Sequence, residues 1–338
     1  MKITFQQYDL RLKHTFTTAR GGRDVSPVVI LELEHDGLIG YGESAPIARY
    51  GESVETVEAF LSKLDLSRFD DPFQLESILS YADSRADGNA AAKAGLDLAL
   101  HDWIGKKLKV PLYKYWGLEK GNTPKTSFTI GIDTPRIIED KVREAERYPI
   151  LKVKLGGDHD EEIIRTIRTV TKKTLRVDAN EGWKNKEIAV EKIKWLEQEG
   201  VEFVEQPMPA GDLAGTAWVR ERVSLPLIAD ENSLRLHDVP KLQGVFDGIN
   251  IKLMKCTGLR EAMKMVNTAR ACDMKVMTGC MIESSVGISA AAQFTPLVDF
   301  ADLDGNVLIT NDPFDGVRSL DGTIALSDRP GIGVTKLV

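Results

Sequence analysis

ILKVK (150–154), LRVD (175–178), VEFVE (201–205), LIAD (227–230) and GINIK (248–252) are short apolar runs, each ending in a charged residue. Each has the length of one strand, and each is followed by a stretch with helical spacing: Asp160–Lys172, Lys186–Gln198, Gly215–Arg222, Leu236–Leu242 and Arg260–Ala271. The charged ends recur every ~25 residues, the length of a strand plus a crossover helix, so the strands are expected to run parallel. KVMT (275–278) continues the series before a helix at Ile288–Thr295, and TSFTIGI (126–132) reads as its first strand. So many units predict a closed TIM-type (β/α) barrel. The alternative is an open doubly wound sheet, but no GxGxxG follows a first strand and no GxxxxGK run occurs.

The flanks differ in texture. Lys2–Arg11 alternates, and PVVILELEH (27–35) meets a second run, Leu38–Glu43, across Asp36-Gly37, which predicts a hairpin or meander. TTARGGRD (17–24) is polar and glycine-bearing and reads as a mobile loop. Ser53–Leu64 opens with an N-cap serine and a later glutamate, and Asn89–Lys107 is an alanine-rich helix. Residues 1–120 are therefore expected to form an α+β unit, with the barrel at 121–311. The segment 312–338, with a strand at Gly322–Leu326, is expected to return to that first unit.

Composition excludes several functions. The chain has 338 residues and a formal net charge of −7, so no basic excess exists to neutralise nucleic-acid phosphates. Cys256, Cys272 and Cys280 form no CxxC, and the five histidines form no HExxH, which argues against a disulfide framework or a zinc site. The opening MKITFQQYDLRLKH lacks the apolar run of a secretory signal, and no membrane-spanning run is found. A cytoplasmic enzyme with no nucleic-acid or membrane partner is the expectation; homo-oligomerisation is left open.

In such a barrel the C-terminal strand ends carry the chemistry. Here they present Asp178, Glu205 and Asp230 on three successive strands, with Lys152 and Lys154 on one side, Lys252 on the other, and Asp302 and Asp304 later. Neighbouring strands lie ~4.8 Å apart, so the three carboxylates converge and need a cation among them. An all-oxygen set suits Mg²⁺. Lys152 and Lys154 are two apart and share a face, the inward one, because Leu151, Val153 and Leu155 supply the apolar face. Amines confined beside a cation are expected to lose pKa and serve as bases. A metal flanked by two bases suits removal of a proton α to a carboxylate.

LKVK (151–154), RVDANEGW (176–183), VEQP (204–207), ADE (229–231), INIKLMK (249–255) and GCMIESSVGISAAA (279–292), together with YGESAP (41–46) and RYGES (49–53), resemble the muconate-lactonizing subgroup of the enolase superfamily. Enzymes of that superfamily pair a Lys or His base with Mg²⁺ that stabilises an enediolate. DLDG (302–305) looks like the dipeptide epimerases, where an Asp-x-Asp after the last strand meets the substrate's free ammonium. The resemblance implies a TIM-type (β/α)7β barrel, with Asp178, Glu205 and Asp230 as Mg²⁺ ligands, Lys154 and Lys252 as the acid/base pair, and Lys152 as a holder of the substrate carboxylate. It implies Asn180 and Glu283 as supporting residues around the site and Thr129, Asp302 and Asp304 as substrate contacts. Arg20 or Arg23, in the ARGGRD loop, would meet a side-chain carboxylate, which points to the L-Ala-D/L-Glu type. The implied reaction is 1,1-proton transfer at the C-terminal residue of a dipeptide, used in recycling peptidoglycan peptides. Epimerases for other dipeptides, N-succinyl amino acid racemases, o-succinylbenzoate synthases and muconate cycloisomerases share the barrel motifs and remain alternatives. A non-catalytic binding protein on the same scaffold is a competitor of another class.

Overall fold

The computed structural model describes residues 1–18 and 21–337. Three strands open the chain, β1 (Lys2–Thr18), β2 (Gly21–His35) and β3 (Leu38–Ser44), and pair as an antiparallel meander. The β2–β3 turn is Asp36-Gly37, both left-handed at φ 51° and 72°, as a two-residue hairpin turn requires. Val29, Leu31 and Leu33 alternate onto the buried face.

The polar stretch 17–24 is strand rather than mobile loop as far as it is described. Phe16 pairs with Arg23, Thr17 with Gly22 and Thr18 with Gly21. Backbone pairing carries the ribbon through a sequence that composition marks as loop. A register shift between Arg11 and Phe16 lets the intervening residues bond elsewhere: Lys13 N donates to Leu308 O at 2.9 Å, and Thr310 N to Arg11 O at 2.9 Å. The ribbon is thereby fastened to the segment that follows the last barrel strand.

Helices α1 (Val54–Leu61), α2 (Leu75–Arg85), α3 (Ala90–Leu108) and the single turn α4 (Leu112–Tyr115) follow. Ser53 caps α1, but its reciprocal partner is Thr56, not a glutamate, because the helix starts at Val54 and puts Thr56 at the third position. α3 is buried along nearly its whole length and crosses β3 closely. A Cβ on Gly42 would stand 2.0 Å from Gly95 O, so that crossing requires glycine.

The barrel alternates β4 (Phe128–Ile130), α5 (Pro135–Glu144), β5 (Ile150–Lys154), α6 (Asp160–Val170), β6 (Thr174–Asp178), α7 (Lys186–Gln198), β7 (Val201–Glu205) and α8 (Leu213–Arg220). It continues with β8 (Leu227–Ala229), α9 (Val239–Leu242), β9 (Gly248–Lys252), α10 (Leu253–Cys256), α11 (Leu259–Ala271), β10 (Lys275–Gly279), α12 (Ser285–Ala292) and β11 (Phe300–Asp302). The eight strands are parallel and in chain order. A parallel bridge between Thr126 and Ala301 closes the ring. This is the closed barrel that the strand spacing predicts, in the (β/α)7β form that the resemblance implies.

Beyond the barrel, β12 (Phe314–Asp315) pairs with β13 (Thr335–Lys336). The strand expected at Gly322–Leu326 is reduced to one isolated bridge, Arg318 to Ala325. Asp321 and Gly322 take left-handed φ of 58° and 70°, which ends any extended run there. The segment touches both parts of the chain. Ile332 N donates to Asp102 of α3 at 2.9 Å, and Thr126 N donates to Gly322 O at 2.8 Å.

α3 is also bolted to the barrel. Asp97, buried, accepts from Leu259 N at 2.6 Å and Arg260 N at 3.2 Å, so a side chain of one unit caps α11 of the other. Among the described residues no helix is long and apolar enough to cross a membrane.

Candidate active site

β5, β6, β7 and β9 deliver their charged residues to one end of the barrel because every strand runs in the same direction. Asp178 and Glu205 close β6 and β7, Asp230 directly follows β8, and all three are buried. An oxygen from each lies within 4.8 Å of the others, the one such convergence among the described residues.

The lysines interleave with them. Lys152 Nζ is 2.7 Å from Glu205 Oε2, 2.7 Å from Asp302 Oδ2 and 3.3 Å from Asp178 Oδ2. Lys154 Nζ donates to Asp178 Oδ2 at 2.6 Å, and Lys252 Nζ to Asp230 Oδ2 at 2.7 Å. β5 and β9 lie four places apart in a ring of eight, so Lys154 and Lys252 face each other across the barrel.

Burial and neighbours set the protonation states. Burial opposes charge on Asp178, but Lys154 and Lys152 outweigh it and hold the carboxyl below the usual range. Burial together with the Asp178 charge pushes Glu205 up to about 7. Burial also opposes charge on Lys252, yet Asp230 and Glu205 more than offset it and hold the ammonium on. The donor set fits a hard divalent ion. It is all oxygen, and it brings three carboxylates together in a buried place with an oxygen of each within 4.8 Å of the others.

Sequence reasoning misses the layer beneath. Lys255 Nζ bonds Asp230 through Oδ1, and lies 2.6 Å from Asp230 O and 3.1 Å from Asn250 O. Asn250 Nδ2 donates to Glu205 Oε1 at 2.8 Å, and Gln206 Oε1 accepts from Asp230 N at 3.0 Å. Asn250 and Lys255 stand inside the run INIKLMK. The inward alternation of β9 could have found Asn250, two residues from Lys252.

Above this floor is a cavity of about 360 Å³. Lys152, Lys154, Lys252, Asp230, Asp302 and Asp304 line it, as do Thr129 and Asn180. Asn180 N donates to Asp178 Oδ1 at 2.9 Å. Asp302 Oδ1 accepts from Ser127 Oγ at 2.7 Å, and Asp304 Oδ2 from Thr129 N at 2.6 Å. Burial, with the Asp302 charge beside it, pushes Asp304 up to about 7, so a cation arriving here would be welcomed.

The roof comes from the first unit: the β1–β2 ribbon and the turn at Ile47–Tyr50. Arg23 lines the cavity, and burial lowers its affinity for a proton, with no ion pair to a carboxylate among the described residues. Arg20 lies outside the described residues. Glu283 does not line the cavity; it lies behind it, where Oε1 accepts from Met281 N at 2.7 Å and the Glu43 charge is felt.

Comparison with known proteins places this geometry. Residues 2–117 match the mandelate racemase/muconate lactonizing enzyme N-terminal domain, and residues 138–336 match the enolase C-terminal domain-like family. The chain is 55% identical to the L-Ala-D/L-Glu epimerase of Bacteroides thetaiotaomicron, over 100% of this chain and 88% of that one. Among solved structures it is similar to the dipeptide epimerase of Enterococcus faecalis complexed with Mg and L-Leu-L-Tyr, at TM-score 0.90, 33% identity and 99% of each chain. It is also similar to a substrate-liganded L-Ala-D/L-Glu epimerase of Bacillus subtilis, at TM-score 0.92 and 29% identity, over 99% of this chain and 98% of that one.

Proposed function

The chain belongs to the mandelate racemase/muconate lactonizing enzyme family of the enolase superfamily, and from that premise we propose that it is a Mg²⁺-dependent dipeptide epimerase, with L-Ala-D/L-Glu as substrate. The observation that carries this reading is the pair Asp302 and Asp304 on the cavity wall, beside a carboxylate triad that stands between two opposed lysines.

In this reading Asp178, Glu205 and Asp230 hold Mg²⁺, which supplies positive charge for the α-carboxylate of the substrate and for the negative charge that builds there as the α-proton leaves. Lys152 shares the hold on that carboxylate. Lys154 and Lys252 work from opposite faces: one takes the α-proton, the other returns one, and the configuration inverts. Asp302 and Asp304 accept the free α-ammonium, whose charge keeps Asp304 ionised. Arg23 meets the side-chain carboxylate of the C-terminal residue as a bidentate partner, which relieves its unpaired state. Thr129 holds Asp304 in place, and Asn180 and Glu283 stiffen the surroundings. Residues 1–120 form the roof as one domain, with 312–338 attached, and 121–311 form the barrel domain. A cytoplasmic place and a use in recycling peptidoglycan peptides belong to the same reading and rest on the resemblance alone.

The test is α-deuterium incorporation in D₂O with Mg²⁺, followed by mass spectrometry across L,L-dipeptides and N-acylated amino acids. Exchange strongest for L-Ala-L-Glu, absent for acylated amino acids and abolished by a chelator is the expected result. Exchange confined to acylated amino acids would move the chain to a racemase of the same family.

A further inference from the structure

Arg49 is the side chain by which the cap turn grips the barrel. Its Nε lies 3.1 Å from Glu181 Oε2 and its Nη2 3.0 Å from Glu181 Oε1, a bidentate pair. The same Oε1 accepts from Ala210 N at 2.9 Å. One carboxylate therefore ties together three segments: the turn at Ala48–Tyr50, the loop after β6 and the loop after β7.

The backbone under Glu181 is a second, independent observation. Asn180 and Glu181 are successive non-glycine residues in the left-handed region, at φ 44° and 67°. Glycine would adopt such a backbone freely, whereas a glutamate does so only where its surroundings hold it. The chain carries glutamate at a place that favours glycine, and among the contacts of its side chain there are those to Arg49 and Ala210. The strained pair begins two residues after Asp178, so the clasp and the site floor share one loop.

The turn is only three residues long. Arg49 and Tyr50 both line the reaction cavity together with Lys252. Anchoring Arg49 on Glu181 consequently fixes which way Tyr50 is presented and how far the turn stands above the floor. Glu181 itself does not line the cavity.

We propose that Glu181 is a positioning residue: acting through Arg49, it clasps the cap turn over the bound substrate and sets how tightly substrate is held. The effect on substrate rests on the dipeptide epimerase reading; the clasp does not.

Glu181→Gln keeps the shape and an acceptor for Ala210 N but removes the charge. The expected result is a KM for L-Ala-L-Glu raised about tenfold with kcat within about twofold, as loss of a partly exposed bidentate pair predicts. Mg²⁺ affinity by calorimetry stays unchanged. Hydrogen exchange of the 46–52 backbone, read by mass spectrometry without substrate, speeds up several-fold. Arg49→Gln gives the same changes, Arg49→Lys a smaller one, and the double variant Arg49→Gln/Glu181→Gln is no worse than either single. Additive losses, or unchanged exchange in both single variants, would overturn the clasp. A joint fall of kcat and Mg²⁺ affinity would overturn it too, making Glu181 a prop for Asp178. Should the wild-type protein turn over no dipeptide, the failure lies with the functional reading, and the exchange measurement still decides the clasp.

Discussion

The floor and the roof of the cavity are built on opposite principles. On the floor the lysines and the carboxylate triad meet opposite charges: Lys152 touches three carboxylates, and Asp230 is held by Lys252 and Lys255 together. On the roof Arg23 is largely buried and pairs with no described carboxylate. A group satisfied from several sides is preorganised, which suits chemistry that must not vary. A desolvated guanidinium without a partner is unfinished until a substrate supplies one. In the proposed reading the contrast separates the part of the molecule that performs proton transfer from the part that selects the dipeptide.

The hardest blow to the floor is loss of a base. Lys154→Ala and Lys252→Ala should each lower kcat for epimerisation by about 10³-fold or more, while calorimetry finds Mg²⁺ binding largely intact. Proton exchange in a single direction can survive in one of them. Full activity in either variant would end the two-base assignment.

Asp304→Asn tests the place where, in the proposed reading, the floor meets the substrate ammonium. It should cost about 10²-fold in kcat/KM on free-amine dipeptides, since a charge-assisted contact becomes a neutral one. Unchanged turnover would mean the ammonium binds elsewhere.

Arg23→Gln tests the roof and should spare the floor. KM for L-Ala-L-Glu is expected to rise about tenfold, with turnover of a dipeptide carrying an apolar C-terminal side chain left as it was. An equal loss on both substrates would show Arg23 to be part of the general machinery, and the contrast between roof and floor would fail.

The seam between the two units yields the smallest effect, on stability. Glu43 of β3 accepts from Ser284 N and Gly287 N, at the start of α12, and faces Glu283 and Asp312, with Lys252 acting on Glu283 from β9. Burial pushes Glu43 up to about 7 and, with the Glu43 charge added, Glu283 up to about 8. Both folded values lie above those of the unfolded chain, so the folded state binds more protons. Stability from this pair is present below the ordinary carboxylate range and is lost as pH rises through about 7 to 8. The melting temperature of the wild-type protein should therefore fall between pH 5 and 8 more steeply than that of Glu283→Gln, which loses one titrating group and the repulsion. Parallel curves for the two proteins would refute the coupling.

Much of the barrel can be read locally. β5, β7 and β9 fall on the expected residues, because a strand with one face in the barrel and the other under helices must alternate, whatever surrounds it. Asp178, Glu205 and Asp230 follow from the same register, since parallel strands bring equivalent ends together. The ribbon at 16–23 is illegible for the converse reason: its pairing is set by backbone partners and by bonds to the segment 308–310, not by composition. α2 is equally hard to read, as its apolar positions are few and packing decides it.

The sequence by itself determined the barrel, the order of its strands and the identity of the strand-end acids and bases, because those depend on a period of two or of 3.6 and on chain direction. Only the tertiary structure decided the pairings. Lys152 meets Asp302 across 150 residues, Arg49 meets Glu181 across 132, and Lys255 turns inward under Asp230. A charged side chain near a strand end has many oppositely charged candidates in the sequence. Which one it meets is settled by closure of the ring and docking of the cap, and no local pattern records either.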